Sequence, residues 1–408
     1  MTAASVLVKP ASSACNISCS YCFYRRLCEN REVADAGRMS PATLEALVTC
    51  ALSYGDELVS LCFQGGEPTL AGLDYFREAV RLEKKLARPG QTVENTLQTN
   101  GMLIDDDWAR FLAEEDFLVG ISLDGPAAVH DAHRRDAAGR GTHARVMQSL
   151  ELLRRHGVRT NVLCVVGDEA AADARGLWEF WREAGLEWVQ VIACMGEERG
   201  EEGDAGAGLD RRGRKREFPA HEKGGAAGEG EQRASTRGAV SPVAWGEFLA
   251  ELFDLWYAAW MAGTDIDIRI FSNFAALAAG YPAEECGMSG RCTPTAVVEG
   301  DGSVYPCDFY CTDQWRLGNV REAASTPGGL GALLTSERAR DFAAPSFDVC
   351  GECRECQWLA LCRGGCRRWR EAGGGKDALC EGWKIFFEHA WERLHILGQM
   401  IIERYGRP

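Results

Sequence analysis

Along the first half of the chain, short runs rich in apolar and β-branched residues alternate with longer stretches whose apolar residues recur at helical spacing. The β-like runs are Val6 to Val8, Leu58 to Phe63, Val93 to Thr99, Phe117 to Leu123, Arg159 to Val166 and Trp188 to Ala193. Between them the pattern predicts helices over Pro41 to Ser53, Leu73 to Leu86, Asp106 to Ala113, Thr142 to His156 and Ala170 to Ala184. The first opens with Ser40 as N-cap and Pro41 in its first turn. Six such units predict an α/β fold on a parallel sheet, curved into a partial barrel because the strand runs are nearly continuous in apolar residues. A flat doubly wound sheet fits the same periodicity.

The pattern then breaks. Of the 43 residues from Gly196 to Gly238, 19 are charged and 11 are glycine, which predicts a polar surface insertion in the first domain, residues 1–240. Its ten acidic and nine basic residues nearly cancel, so it offers no docking surface of one sign. A linking helix from Trp245 to Met261 and a β-like run from Ile266 to Phe271 fill residues 241–275. From 276 to 385 regular structure is scarce apart from a hairpin, Thr295 to Glu299 and Ser303 to Cys307 around Gly300-Asp301-Gly302. A helix from about Gly382 to Leu397 leads into the C-terminal segment, 386–408.

Charge and cysteine content narrow the chemistry. The formal charge of -15, from 45 Lys plus Arg against 60 Asp plus Glu, repels a phosphate backbone, so no nucleic-acid partner is expected. The first residues show no basic leader before an apolar core, and no run reaches membrane-spanning length, so a cytoplasmic protein without a membrane partner is expected. Ten of the 18 cysteines fall between Cys286 and Cys380. In a reducing compartment they read as metal-bound thiolates, and the C-terminal region, too poor in apolar residues for its own core, would owe its order to what they bind.

Cys15, Cys19 and Cys22 form a C-x3-C-x2-C loop just after the first strand. Three thiolates this close suit one iron–sulfur or zinc centre, although a closed zinc site would want a fourth ligand and only Cys28 is near. The arrangement resembles the radical S-adenosylmethionine superfamily, in which three such cysteines hold three irons of a [4Fe–4S] cluster and leave the fourth iron to the cofactor. Gln64-Gly65-Gly66-Glu67-Pro68, Gln98-Thr99-Asn100-Gly101 and Ser122-Leu123-Asp124-Gly125 follow at strand ends in the expected order. The resemblance places Gly66, Glu67, Asn100, Ser122 and Arg134 at the methionyl part of S-adenosylmethionine. From the residues alone, Arg134 reads as a solvated partner within Arg134-Arg135-Asp136.

The later cysteines read as zinc ribbons or as further clusters on spacing alone. Cys292-x9-Gly302-x4-Cys307, Cys353-x2-Cys356-x5-Cys362-x3-Cys366 and Cys380 resemble the SPASM domain of peptide-modifying radical enzymes. By that resemblance Cys286, Cys292, Cys307 and Cys366 hold one auxiliary [4Fe–4S] cluster, and Cys353, Cys356, Cys362 and Cys380 a second, making three clusters in all. Cys311 and Cys350 stand outside the pattern.

Nearly the whole chain outside the insertion resembles the anaerobic sulfatase-maturating enzymes, most narrowly at Gly302-Ser303-Val304-Tyr305-Pro306-Cys307-Asp308-Phe309-Tyr310 and Leu361-Cys362-Arg363-Gly364-Gly365-Cys366-Arg367-Arg368. That implies oxidation of a cysteine or serine in an unfolded sulfatase segment, Cys-x-Pro-x-Arg or Ser-x-Pro-x-Arg, to Cα-formylglycine, with a reduced flavodoxin- or ferredoxin-like protein as electron donor. It makes Asp308 the base and places Tyr24 and Gln64 at the substrate. Read without the family, Asp308 caps the hairpin, Tyr24 packs and Gln64 satisfies a strand end. The rival functions are another SPASM enzyme that cross-links or decarboxylates a ribosomal peptide, a zinc scaffold, and a simple electron carrier.

Overall fold

The computed structural model describes residues 3–195, 238–263 and 266–408. The polar insertion expected at 196–238 therefore lies outside the described residues apart from Gly238. Twelve strands are described: β1 (Ala4–Val8), β2 (Ile17–Cys19), β3 (Leu58–Phe63), β4 (Thr92–Thr99), β5 (Leu118–Ser122), β6 (Arg134–Asp136), β7 (Arg159–Val166), β8 (Trp188–Ala193), β9 (Asp267–Ile268), β10 (Ala296–Val298), β11 (Ser303–Tyr305) and β12 (Gly318–Asn319). The six strands expected from the apolar runs are β1, β3, β4, β5, β7 and β8, and they lie side by side and parallel.

Their alternation explains the curvature. On β3, Val59, Leu61 and Phe63 are buried beneath the helices, while Ser60 and Cys62 on the other face line a cavity of about 1200 Å³. Thr96, Gln98, Asn161 and Gln190 line it from β4, β7 and β8, and Ser5 of β1 and Asp267 of β9 line it from strands far apart in the sheet. Distant strands share one interior only if the sheet curls, so the fold is an open barrel and not a flat sheet. Its cavity is lined by these polar side chains together with Leu97, Val162, Leu163 and Val189, unlike the continuous apolar face expected from the strand runs.

The hairpin of the cysteine-rich region is built into this sheet. β10 pairs in parallel with β1, Val6 opposite Ala296 and Val8 opposite Val298, and β11 and β12 extend the edge antiparallel. The region beyond it is more helical than its composition suggests, with helices at Gly329–Leu334 and Glu337–Ala343. Two other expectations change. The run Ile266 to Phe271 yields only the two-residue β9 before helix Arg269–Ala278 begins, and Ala170 to Ala184 splits where the Asp173 side chain accepts from the Gly176 amide and starts a new helix.

The last helix runs from Cys380 to Tyr405, across the expected boundary at 385. It lies on helices Pro242–Met261 and Arg269–Ala278, where Phe386 meets Phe253, Phe271 and Phe274 with ring centroids 5.6 to 5.8 Å apart. Among the described residues no helix is long and apolar enough to cross a membrane.

Candidate active site

The chain leaving β1 turns through residues 9–15 to the first thiol, and the Gln64 to Pro68 loop lies against this turn. The Gly66 amide donates to Ser12 O at 2.9 Å and the Glu67 amide to Ala14 O at 2.8 Å. A Cβ on Gly66 would stand 2.2 Å from Ala14 O, so glycine is required here for contact between two loops. Glu67, 1% exposed, accepts from the Thr69 amide (3.1 Å) and hydroxyl (2.6 Å), the Thr99 hydroxyl (2.7 Å) and the Asn100 amide (2.8 Å). Burial still pushes its carboxyl up. Asn100 in turn directs its side-chain amide at Asn16 (2.8 Å) and Cys15 Sγ (3.7 Å). Ser122, at the end of β5, accepts from Gln98 at 3.1 Å.

On the other side of the loop, β2 pairs antiparallel with β6 and sets Cys19 opposite Arg134. Arg134 is buried, which overturns its reading as a solvated partner of its neighbours. Its Nε and Nη2 grip Asp124 at 2.8 and 3.0 Å, and Nη1 lies 3.9 Å from Cys19 Sγ. Asp124 also accepts from the Tyr21 hydroxyl and the Val165 amide. Burial would raise the Asp124 carboxyl, but Arg134, with these donors, holds it below the usual range. Asn100 and Glu67 thus flank Cys15, and the Asp124–Arg134 pair flanks Cys19.

Asp308 does not cap the hairpin. Its Oδ1 pairs with Lys9 Nζ at 2.5 Å and its Oδ2 accepts from Gln64 Nε2 at 3.0 Å. Gln64 therefore does more than satisfy a strand end. Tyr24 is buried and donates to Glu299, which Arg31 pairs at 2.9 Å, while Lys9 Nζ lies 3.4 Å from the centroid of the Tyr24 ring. Burial would push Lys9 down, but Asp308, Cys311 and Glu299 together hold it above the usual lysine range. Lys9, Asp124, Arg31 and Glu299 were missing from the sequence-based site. Lys9 and Asp124 carried a signal, an ionisable side chain where a barrel strand ends; the Arg31–Glu299 pair spans 268 residues and had none.

The later thiols gather in two groups. Cys286 feels the charge of Cys366 and Cys292, and Cys307 that of Cys286 and Cys366; Cys353 feels Cys350, Cys380 and Cys356, and Cys362 feels Cys380 and Cys353. Burial pushes the Cys307 and Cys362 thiols up to about 12. Cys307 and Cys362, raised first by burial and further by neighbouring thiols, fit a cationic iron–sulfur cluster, which compensates thiolate charge. Of the two unassigned cysteines, Cys311 is buried with Lys9 Nζ 3.7 Å from its sulfur, and Cys350 Sγ lies 3.4 Å from Cys353 Sγ. Among the described residues no three His, Cys, Asp or Glu side chains close on a single metal ion.

Known proteins share this architecture. Residues 10–176 match the radical SAM superfamily, and residues 290–357 match SPASM, an iron–sulfur cluster-binding domain. A cysteine-type anaerobic sulfatase-maturating enzyme of Clostridium perfringens is 37% identical over 394 residues, covering 96% of this chain and 97% of its own. A serine-type enzyme of Bacteroides thetaiotaomicron is 31% identical over 394 residues, covering 94% and 88%. A solved structure of native anSMEcpe with bound AdoMet and Cp18Cys peptide superposes with a TM-score of 0.82 at 35% identity, covering 98% of this chain and 100% of that one. With the fold, the thiol groups and near full-length identity in agreement, the chain belongs to the anaerobic sulfatase-maturating enzymes, radical SAM enzymes with a SPASM domain.

Proposed function

We propose that this protein converts a cysteine or serine in an unfolded sulfatase segment, Cys-x-Pro-x-Arg or Ser-x-Pro-x-Arg, to Cα-formylglycine, with Asp308 as the base. The reading takes Cys15, Cys19 and Cys22 as ligands of a cluster with one open iron, and Gly66, Glu67, Asn100, Ser122 and Arg134 as the residues around the methionyl end of S-adenosylmethionine. Cys286, Cys292, Cys307 and Cys366, and Cys353, Cys356, Cys362 and Cys380, are taken as two fully ligated auxiliary sets, so that three [4Fe–4S] clusters are present. When bound, these groups supply a 5′-deoxyadenosyl radical, fed by a reduced flavodoxin- or ferredoxin-like donor, and an acceptor for the leftover electron.

The chain's own residues manage the proton. The substrate side chain gives up one Cβ hydrogen atom, one proton from its thiol or hydroxyl and one electron. Asp308 takes the proton. A serine becomes the aldehyde directly, while a cysteine becomes a thioaldehyde that water converts to the aldehyde and hydrogen sulfide. The observation that carries the assignment is the placing of Asp308: Gln64, which lines the barrel cavity, binds one of its oxygens, and its side chain is 21% exposed. Tyr24 supports the site from beneath, its ring against Lys9 and its hydroxyl on Glu299.

Asp308→Asn tests the role by keeping size and hydrogen bonding while removing the carboxylate. Iron content and 5′-deoxyadenosine formation should persist, while aldehyde formation from a cysteine peptide falls about 100-fold or more. Aldehyde yield close to that of the unmodified enzyme removes Asp308 from the mechanism.

A further inference from the structure

We infer that Lys9 is a positioning residue for the oxidation, acting through Asp308; the inference rests on the reading of Asp308 as base. An ammonium sealed from solvent is unfavourable unless it is paired and hydrogen-bonded. The Lys9 side chain is 0% exposed, and its head group is surrounded by Asp308 Oδ1 at 2.5 Å, Cys311 Sγ at 3.7 Å and the Tyr24 ring at 3.4 Å.

These contacts form one line of support. Arg31 pairs with Glu299, Glu299 accepts from the Tyr24 hydroxyl, the Tyr24 ring bears on Lys9, and Lys9 holds Asp308. The backbone fixes the origin of the lysine stem, since the Lys9 amide donates to Val298 O at 2.8 Å where β1 meets β10. Gly65, at φ +128, leaves the stem its room: a Cβ there would come within 3.2 Å of Lys9 Cβ and Cγ.

The two partners differ in access, and that decides the role. Asp308 retains 21% side-chain exposure and Lys9 none. Lys9 does not reach a substrate; it holds one carboxylate oxygen while Gln64 holds the other, so the base enters each turnover in one orientation. Tyr24 then serves as the surface on which the ammonium rests.

The test uses the reconstituted full-length enzyme under anaerobic conditions with a cysteine peptide. Lys9→Met keeps the stem and removes the charge. Iron content and deoxyadenosine should stay near the unmodified level while aldehyde formation falls at least about tenfold, in kcat and not in peptide KM. Lys9→Arg, which restores a cation, should recover most of that loss. In the Asp308→Asn background, Lys9→Met should add no further loss, because its effect is carried by the carboxylate. Normal aldehyde formation by Lys9→Met, loss in proportion to iron in both lysine variants, or multiplied losses in the double variant would each overturn the inference. If Asp308→Asn alone keeps full activity, the base assignment fails; if only Lys9→Met does, the positioning role fails by itself.

Discussion

At Gly66 the space for a side chain is already occupied by the carbonyl of Ala14, the residue before the first thiol. Gly66→Ala must therefore displace the thiol-bearing turn, and on the proposed assignment we expect loss of the iron placed at Cys15, Cys19 and Cys22, with iron at the two proposed later sets retained. Iron and sulfide analysis together with deoxyadenosine assay checks this; full cleavage activity contradicts it. Glu83 gives a separate, pH-dependent prediction. It is buried against Asn95 (2.8 Å), and burial pushes its carboxyl up to about 7. Because the folded value is raised for an acid, the native state loses stability as pH rises from the ordinary carboxylate range through 7. Glu83→Gln should raise the thermal midpoint at pH 8, by on the order of 1–3 kcal/mol of stability, and bring little gain at pH 5. An equal gain at both pH values contradicts the cause. The same residues show what sequence hides: a Gly-Gly pair is visible, but that its second member meets Ala14 is a fact of folding.

Among the elements, the crossing of helix Cys380–Tyr405 over Pro242–Met261 ties the last thiol to the barrel. A Cβ on Gly382 would lie 2.2 Å from Pro242 O, and one on Gly246 would lie 2.6 Å from Gly382 O. Gly246→Leu should force the helices apart, at a cost of about 1–3 kcal/mol or more. It should also lower iron at the set containing Cys380 more than at the first triad, a difference visible in metal analysis and cluster spectroscopy. Equal iron at both sites would separate this crossing from cluster binding. The barrel strands and most helices were legible because their apolar residues carry clear periods: Leu58–Phe63, Arg159–Val166, Trp188–Ala193 and helix Leu73–Leu86 begin and end where the pattern places them. The pattern overran at Ile266 to Phe271, whose apolar residues serve β9 and then the buried face of a helix. It also stopped short of the last helix's end, which runs on past Leu397 through Met400, Ile401 and Ile402 to Tyr405. The polar part of the barrel lining was present in Ser60, Gln98 and Asn161, yet a cavity is defined only when strands far apart in sequence curl around it.

Across the whole molecule, one continuous sheet carries the barrel and the cysteine-rich hairpin. β10 docks on β1, so Lys9 at the end of β1 and Asp308 just beyond β11 meet at the seam. The cysteine spacings made the iron–sulfur chemistry legible, whereas the Lys9–Asp308 contact, 299 residues apart in the numbering, depended on this strand pairing. The account joins radical formation at Cys15, Cys19 and Cys22 to proton removal at that seam. The most direct measurement is an anaerobic reaction of the reconstituted enzyme with S-adenosylmethionine, a reductant and matched peptides bearing Cys-x-Pro-x-Arg or Ser-x-Pro-x-Arg, followed by mass spectrometry and deoxyadenosine assay. The account predicts an aldehyde at the cysteine or serine of at least one peptide, formed together with 5′-deoxyadenosine. Sustained deoxyadenosine formation with no aldehyde from either peptide, on protein with full iron content, would contradict it.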